Sequence, residues 1–364
     1  MRLAVLGVGL IGGSIGLAAR RRLDAEVAGF DPDSANLGRA LELGALTEGA
    51  ASAAEAVTGA ELVFCAAPVR ALPGVVEGAL AASGDETVVT DVGSTKRELV
   101  SGVGAHESGA RFIGGHPLAG AETAGVEHAR DDLFEGAVWY LTPGADSEGM
   151  LYDRLQRAVA GLGARPQAVD PDSHDRLMAT VSHLPHVIAN VLVAQAQAAL
   201  SEESERLPQV GPSFRDTTRV AGANPGIWTD IFTANADAVA GEIDRVVERL
   251  RAAADLLRAG DPAAIDGWQR DAAAARHRLA DAAVAGGALR ELRVSVDNRP
   301  GVVAEIALAL GRAGVNIEDM ALYPAADMST GAISLWVAGD DDAARAAEVV
   351  RELGHTAAPL AAER

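Results

Sequence analysis

The stretch LAVLGVGLIGGSIG, beginning at Leu3, constrains this chain more than any other. Gly7, Gly9 and Gly12 set out G-x-G-x-x-G directly after a short apolar run and directly before a helical one. In that setting the first glycine permits a tight turn and the second lets the backbone approach a pyrophosphate. The third lets helix and strand pack closely. The helix N-terminus, opened by Leu10 and Ile11, then faces the anion. Asp31 closes the next strand-like run, EVAGFD, nineteen residues beyond Gly12, where a carboxylate accepts from a ribose 2′-hydroxyl. The next basic residue is Arg39, so a 2′-phosphate would meet repulsion with little compensation. The pattern predicts NAD as the cofactor rather than NADP.

Short β-branched runs alternate with helical ones through residues 1–150: RLAVLGVG, EVAGFD, ELVFCAAP, TVVTDVG, RFIGGHP and AVWYLTP. Such alternation predicts an α/β domain of Rossmann type, a mainly parallel sheet covered on both faces. Residues 151–287 read as almost wholly helical, with long Ala/Leu/Val/Arg periodicity. Gly286 and Gly287 mark a linker, and residues 289–364 return to strand and helix.

Thirty-one basic against fifty-one acidic residues give a formal charge of −20. That surface repels nucleic acid and anionic membranes, so neither is expected as a partner. It repels anionic small molecules too, and an anionic substrate would need specific arginines to hold it. There is no signal-peptide pattern and no uninterrupted apolar run of membrane-spanning length, and the single cysteine, Cys65, fits a reducing cytoplasm. Cys65 lies in the apolar run LVFCAAP and reads as an inert strand residue.

Three predicted strand ends fall on one side of the sheet. CAAPV brings Pro68, DVGSTK brings Ser94 and Lys96, and GGHPLAG brings His116. Ligands of open α/β sheets collect at the carboxyl ends of strands, so these turns should face one cleft. His116 is the candidate proton carrier, since imidazole titrates closest to neutrality. Ser94 within hydrogen-bond reach would orient its ring; the same serine also reads as an N-cap for the following helix. Further on, SHLPH places His183 and His186 three residues apart. A metal site would need another ligand, and none stands nearby at suitable spacing, so no metal is expected.

Taken together, G-x-G-x-x-G, DVGSTK, GGHPLAGAE, SHLPH and FRDTTRVAGANPGIW resemble the prephenate/arogenate dehydrogenase family of tyrosine biosynthesis, over residues 1 to about 285. The resemblance implies an all-helical substrate and dimerisation domain after the dinucleotide-binding one, and a homodimer. It implies an NAD-dependent oxidative decarboxylation, of prephenate to 4-hydroxyphenylpyruvate or of arogenate to tyrosine. By motif, His116 matches the catalytic histidine and Ser94 the serine that positions it. Arg219 matches the arginine that grips a substrate carboxylate, a task that suits a planar guanidinium fork. His186 is placed near the substrate and His183 in a structural role. Trp228 matches an aromatic lining or closing the pocket, and Glu122 an acidic residue at its mouth. Ala121 replaces a frequent threonine, and Pro212 and Ser213 stand where glycines are common, which leaves the choice between prephenate and arogenate open.

The last stretch, VSVDNRPGVVAEIALALGRAGVNIEDM, resembles an ACT domain, a βαββαβ amino-acid-sensing module. Asp297, Pro300 and Gly301 lie in the turn before its first helix, and Asn316 and Ile317 begin its next strand. The resemblance implies that such turns hold an amino-acid effector, usually between paired ACT domains, with tyrosine the obvious aromatic candidate. A different class of reading also stands: a non-catalytic, NAD- and amino-acid-responsive regulator on the same scaffold.

Overall fold

The computed structural model describes residues 1–120, 123, 125–201, 210–284, 289–297, 299–325 and 329–359. The chain divides into two compact units, one of Met1–His174 with Ala288–Arg364 and one of Asp175–Gly287.

In the first unit an eight-stranded sheet, counted over the described residues, has the order β3-β2-β1-β4-β5-β6-β7-β8. Its strands are β1 (Arg2–Leu6), β2 (Glu26–Phe30), β3 (Glu48–Gly49), β4 (Leu62–Cys65), β5 (Val88–Asp91), β6 (Phe112–Pro117), β7 (Val138–Pro143) and β8 (Arg165–Ala168). Strands β1 to β6 run parallel, β7 is antiparallel to β6, and β8 is parallel to β7. The chain order reverses between β1 and β4, which makes that crevice the switch point of a doubly wound sheet. Leu3, Val5, Val27, Leu62, Phe64 and Val88 have no exposed surface, as expected where helices cover both faces of a parallel sheet.

The same unit carries the C-terminal module. Strands β9 (Leu289–Asp297), β10 (Ile317–Pro324), β11 (Thr330–Ala338) and β12 (Thr356–Pro359) form an antiparallel sheet in the order β10-β11-β9-β12. Helices Val302–Arg312 and Asp340–Glu352 complete the βαββαβ order of an ACT fold.

The boundary expected at residue 151 lies later in the structure, after His174. Helix Gly149–Gly161 packs Leu151, Tyr152, Leu155 and Val159 into a core shared with Val302, Val303 and Ile306. Strand β8 reads Arg-Pro-Gln-Ala, without a β-branched or aromatic residue, so propensity gives no strand signal there. Pairing with β7 makes it a strand.

The second unit is helical: Leu184–Ser201, Pro212–Thr218, Pro225–Ala234, Ala236–Ala259 and Pro262–Val284. Pro185 has no N–H to give to the carbonyl of Val181, and the preceding segment Ala179–His183 is widened into a π turn. Helical structure runs on from Pro171 to Ala198, and that stretch is long and apolar enough to cross a membrane by length and composition alone. Its apolar residues are divided between a buried side with Ala179 and Ala189 and an exposed one with Val181, Val191, Leu192 and Val193.

Candidate active site

At the β1–β4 crevice Gly7 has φ +94°, and a Cβ on it would stand 2.4 Å from the carbonyl oxygen of Ala66. Only glycine fits. A Cβ on Gly12 would lie 1.9 Å from the oxygen of Gly7, so helix Leu10–Leu23 sits closer to the strand than any side chain allows. Gly9 is different, because a Cβ there would meet nothing within 4 Å. It is the N-cap of that helix and supplies no side-chain cap, which leaves the first-turn N–H groups for an anion. Gly7, Gly9, Asp31 and Pro68 line one cleft of about 880 Å³, with Phe30, Pro32 and Ala67. Leu10 and Ile11 instead pack against the core below the turn. Asp31 Oδ2 accepts from the N–H of Val8 at 2.8 Å, and Oδ1 accepts from Asp33 at 2.9 Å. The carboxylate thus ties the glycine turn to the end of β2 while facing the cleft, and no arginine or lysine is among the cleft's lining residues. These residues fit NAD.

Two strands along, β5 ends at Asp91, whose side chain and that of Lys96 are wholly buried as an ion pair. Asp91 Oδ2 also accepts from Gly93 N–H at 2.7 Å, and Oδ1 from Gly115 N–H at 3.0 Å. The pair fixes the β5 turn to the residue before His116. Lys96 was expected at the cleft; it instead serves the frame behind it. Ser94 is half-buried in the same turn. The N-cap of helix Arg97–Gly104 is Lys96, so Ser94 does not cap it.

His116 sits near the carboxyl end of β6 and is 9% exposed. Its Nδ1 lies 2.9 Å from Nε2 of His174, which the sequence reading did not single out. Among the described residues the ring contact at Nδ1 therefore comes from His174 rather than from Ser94. His174 has no exposed surface and stands edge-on both to His116, at 5.1 Å between centroids, and to Tyr140, at 5.6 Å. Tyr140 is the β7 residue paired with His116 across the ladder, so both side chains share one face. Burial holds the Tyr140 phenol above its ordinary pKa, which keeps it neutral. Burial and the Asp91 carboxylate raise the Cys65 thiol as well, so Cys65 is inert.

In the helical unit His183 is buried, and its Nδ1 lies 3.2 Å from Nδ2 of Asn235, which also donates to the Asp175 carbonyl at 2.8 Å. Asn235 was invisible as a site residue in the sequence, since only the fold brings it to His183. His186 stacks on Trp228, with centroids 3.7 Å apart and planes 19° from parallel. Its Nδ1 is buried and has no hydrogen-bond partner among the described residues. Desolvation lowers its pKa, so it is a neutral imidazole at pH 7. Arg219 begins the turn Arg219–Gly222 and is exposed. Glu122 lies outside the described residues.

In the ACT module Gly301 has φ +82° and caps helix Val302–Arg312. Its N–H donates to the carbonyl of Ser147, 3.1 Å away in the loop after β7. Asp297 and Pro300 belong to this same turn at the end of β9. Asn316 and Ile317 lie at the other end of the sheet. Asp297 pairs with Thr330, at the start of β11, and Ile317 with Val337, near its finish. One copy of the module therefore separates the two turns by most of a strand length. An effector touching both needs a second copy.

Comparison with known proteins supplies the family. Residues 15–167 match the nucleotide-binding domain of prephenate dehydrogenase, 170–269 its dimerization domain, and 292–357 an AHAS small subunit-like ACT domain. A prephenate dehydrogenase of Bacillus subtilis (strain 168) is 32% identical over 362 residues, 94% of each chain. A cyclohexadienyl dehydrogenase of Zymomonas mobilis is also 32% identical, over 68% of this chain and 86% of its own. Among solved structures, prephenate dehydrogenase from A. aeolicus in complex with hydroxyphenyl propionate and NAD+ has a TM-score of 0.71 at 28% identity. It covers 77% of this chain and 98% of its own. Synechocystis arogenate dehydrogenase gives 0.67 at 25%, covering 77% and 100%. With the glycine turn, the cofactor cleft and the buried histidine at the end of β6, these likenesses leave one conclusion: the chain is an NAD-dependent dehydrogenase and belongs to the prephenate dehydrogenase family.

Proposed function

We propose that this enzyme oxidises prephenate to 4-hydroxyphenylpyruvate and CO2 in tyrosine biosynthesis. The observation that carries the reading is His116, a buried imidazole at a strand's carboxyl end, on the edge of the sheet that holds the cofactor cleft. His116 takes the proton of the ring C4 hydroxyl at Nε2, because Nδ1 is turned to His174. NAD, when bound, accepts the hydride that leaves C4. The ring carboxylate then departs as CO2, its bonding pair makes the ring aromatic, and the proton returns to the ring oxygen. Ser94, in the turn after β5, is assigned to the same substrate end. Arg219 is assigned to a substrate carboxylate, His186 and Trp228 to the pocket wall, and Glu122 to its mouth. The unpartnered Nδ1 of His186 supports that role, since a buried polar atom without a partner is costly unless a ligand supplies one.

Prephenate is preferred to arogenate because the Bacillus subtilis relative that spans 94% of this chain is a prephenate dehydrogenase. The protein acts as a cytoplasmic homodimer through its helical unit. Its ACT module takes an aromatic amino acid, tyrosine foremost, as feedback effector at the Asp297–Gly301 turn and at Asn316 and Ile317 of a paired copy. The test is NADH formation with prephenate and, separately, arogenate, each with and without tyrosine. Turnover on prephenate, slowed by tyrosine, is expected; faster turnover on arogenate would reassign the substrate. His116→Asn should cut kcat by about 10²-fold or more with NAD affinity little changed, as for a lost general base. Unaltered turnover would remove His116 from the chemistry.

A further inference from the structure

We infer that His174 is the positioning residue of the catalytic base: its Nε2 accepts the Nδ1 proton of His116, so that Nε2 of His116 carries the lone pair that meets the substrate. The inference rests on the reading of His116 as the base. Two imidazoles 2.9 Å apart through ring nitrogens share a single proton, and one of them must donate. If His174 donated, His116 would be protonated at Nε2 and have no lone pair there for a hydroxyl proton. If His174 accepts, His116 is a base on the correct side. After His116 takes the substrate's proton, its Nδ1–H still donates to His174, which spreads the imidazolium charge without itself being protonated.

The surroundings suit this arrangement. His174 is set by its own frame: its N–H bonds to the carbonyl of Asp170 at 2.9 Å, and its ring stands against Tyr140 at 81°. Tyr140 is paired with His116 in the β6–β7 ladder, and the rings of both stand edge-on to His174. Among the described residues, the other ionisable groups on the elements packed here are Tyr140 of β7, Asp170 before helix Pro171–Met178, Asp172, the buried Asp175 and Arg176 on that helix, and the Asp91–Lys96 pair at the end of β5. Asp91 and Lys96 offset each other and Tyr140 is neutral, and the 2.9 Å contact makes the two histidines titrate as a coupled pair. A second proton on two touching, buried rings is disfavoured by like-charge repulsion.

The test compares His174→Phe, which keeps a ring but no acceptor, with His174→Gln, whose amide oxygen reaches the position of Nε2. An acceptor on Nδ1 favours the protonated ring. In the Phe variant kcat should therefore fall at least about tenfold, and the acid limb of the kcat/KM profile should move to lower pH. Gln should return the limb toward its original place and recover most of the rate. An unmoved limb in both variants, with equal losses of rate, would overturn the inference and leave His174 a packing residue. His116→Asn assayed alongside separates the two claims. If it is inactive while His174→Phe keeps the wild-type limb, only this inference fails; if it turns over normally, the base itself is wrong. A further measurement needs no variant at the pair except for assignment. ¹⁵N shifts of histidine-labelled full-length protein should show His116 as the Nδ1–H tautomer near neutral pH, and the Nε2–H tautomer would overturn the inference.

Discussion

Asp91, Lys96 and His174 have no exposed surface, whereas Val191, Leu250 and Leu257 of the helical unit are each more than half exposed. The two regions handle polarity in opposite ways. Around His116 the described orienting contacts are buried, where water does not compete and a hydrogen bond fixes geometry. In the helical unit His183 and Asn235 make a small polar core, but the surface carries large apolar side chains along several helices. Covering one such leucine fully is worth about 1.5–3 kcal/mol, so a face built of several favours a second copy. The difference teaches that the described contacts orienting His116 come from a buried polar frame, while the helical unit leaves large apolar side chains at its surface.

Lys96→Met is the sharpest way to break the comparison. It leaves Asp91 a buried carboxylate without its cation, still accepting from Gly93 and Gly115. Such an unpartnered charge costs about 3–5 kcal/mol. A large drop in Tm by thermal unfolding is expected, together with lost turnover, because the β5 turn no longer holds the residue before His116. A Tm within a degree or two of wild type would mean that the buried pair is not what sets this strand end.

Arg219→Ala should act in the opposite manner. The residue is exposed, so folding stability should change by less than about 0.5 kcal/mol. If it holds a substrate carboxylate, the loss of a charge-assisted bond of about 1.5–3 kcal/mol raises KM for prephenate by about 10- to 100-fold, with kcat much less affected. Steady-state kinetics decide it, and an unchanged KM removes Arg219 from the pocket.

The two regions also differ in how far the sequence discloses them. The glycine turn, Asp31 and the strand ends carrying Pro68 and His116 are legible because each is a local signal, a turn residue or a charge at a fixed offset from an apolar run. Asp91 and Lys96 stand five residues apart in DVGSTK, yet nothing local says that both are buried. His174 is 58 residues from His116 and reads as one more polar residue in a helix's first turns; only the sheet brings the rings together. Arg219, His186 and Trp228 are singled out by resemblance alone, since a helical surface arginine or a stacked histidine has no signature of its own. Strand β8 and the late start of the second unit are missed for the same reason, because pairing with β7 and the shared core with the ACT module are tertiary facts.

The smallest expected effect concerns Asp31, which separates a frame role from a ligand role within one residue. Its carboxylate already accepts from Val8 and Asp33, so it braces the glycine turn whether or not a ribose is present. Asp31→Asn keeps an oxygen able to accept from Val8 and removes the charge. Asp31→Ala removes both, and losing a backbone hydrogen bond to a charged group should lower stability by about 1.5–3 kcal/mol. The comparison to make is therefore the ratio of kcat/KM for NAD to that for NADP, set beside Tm. Asn should lower the ratio several-fold, since a 2′-phosphate no longer meets a negative charge, while Tm falls less than in the Ala variant because only one of the two backbone bonds is lost. Ala should lower the ratio similarly and Tm further. If both variants leave the ratio unmoved and lower only Tm, Asp31 belongs wholly to the frame, and the ribose is recognised by other groups lining the cleft, of which Asn36 and Ser52 are the polar candidates.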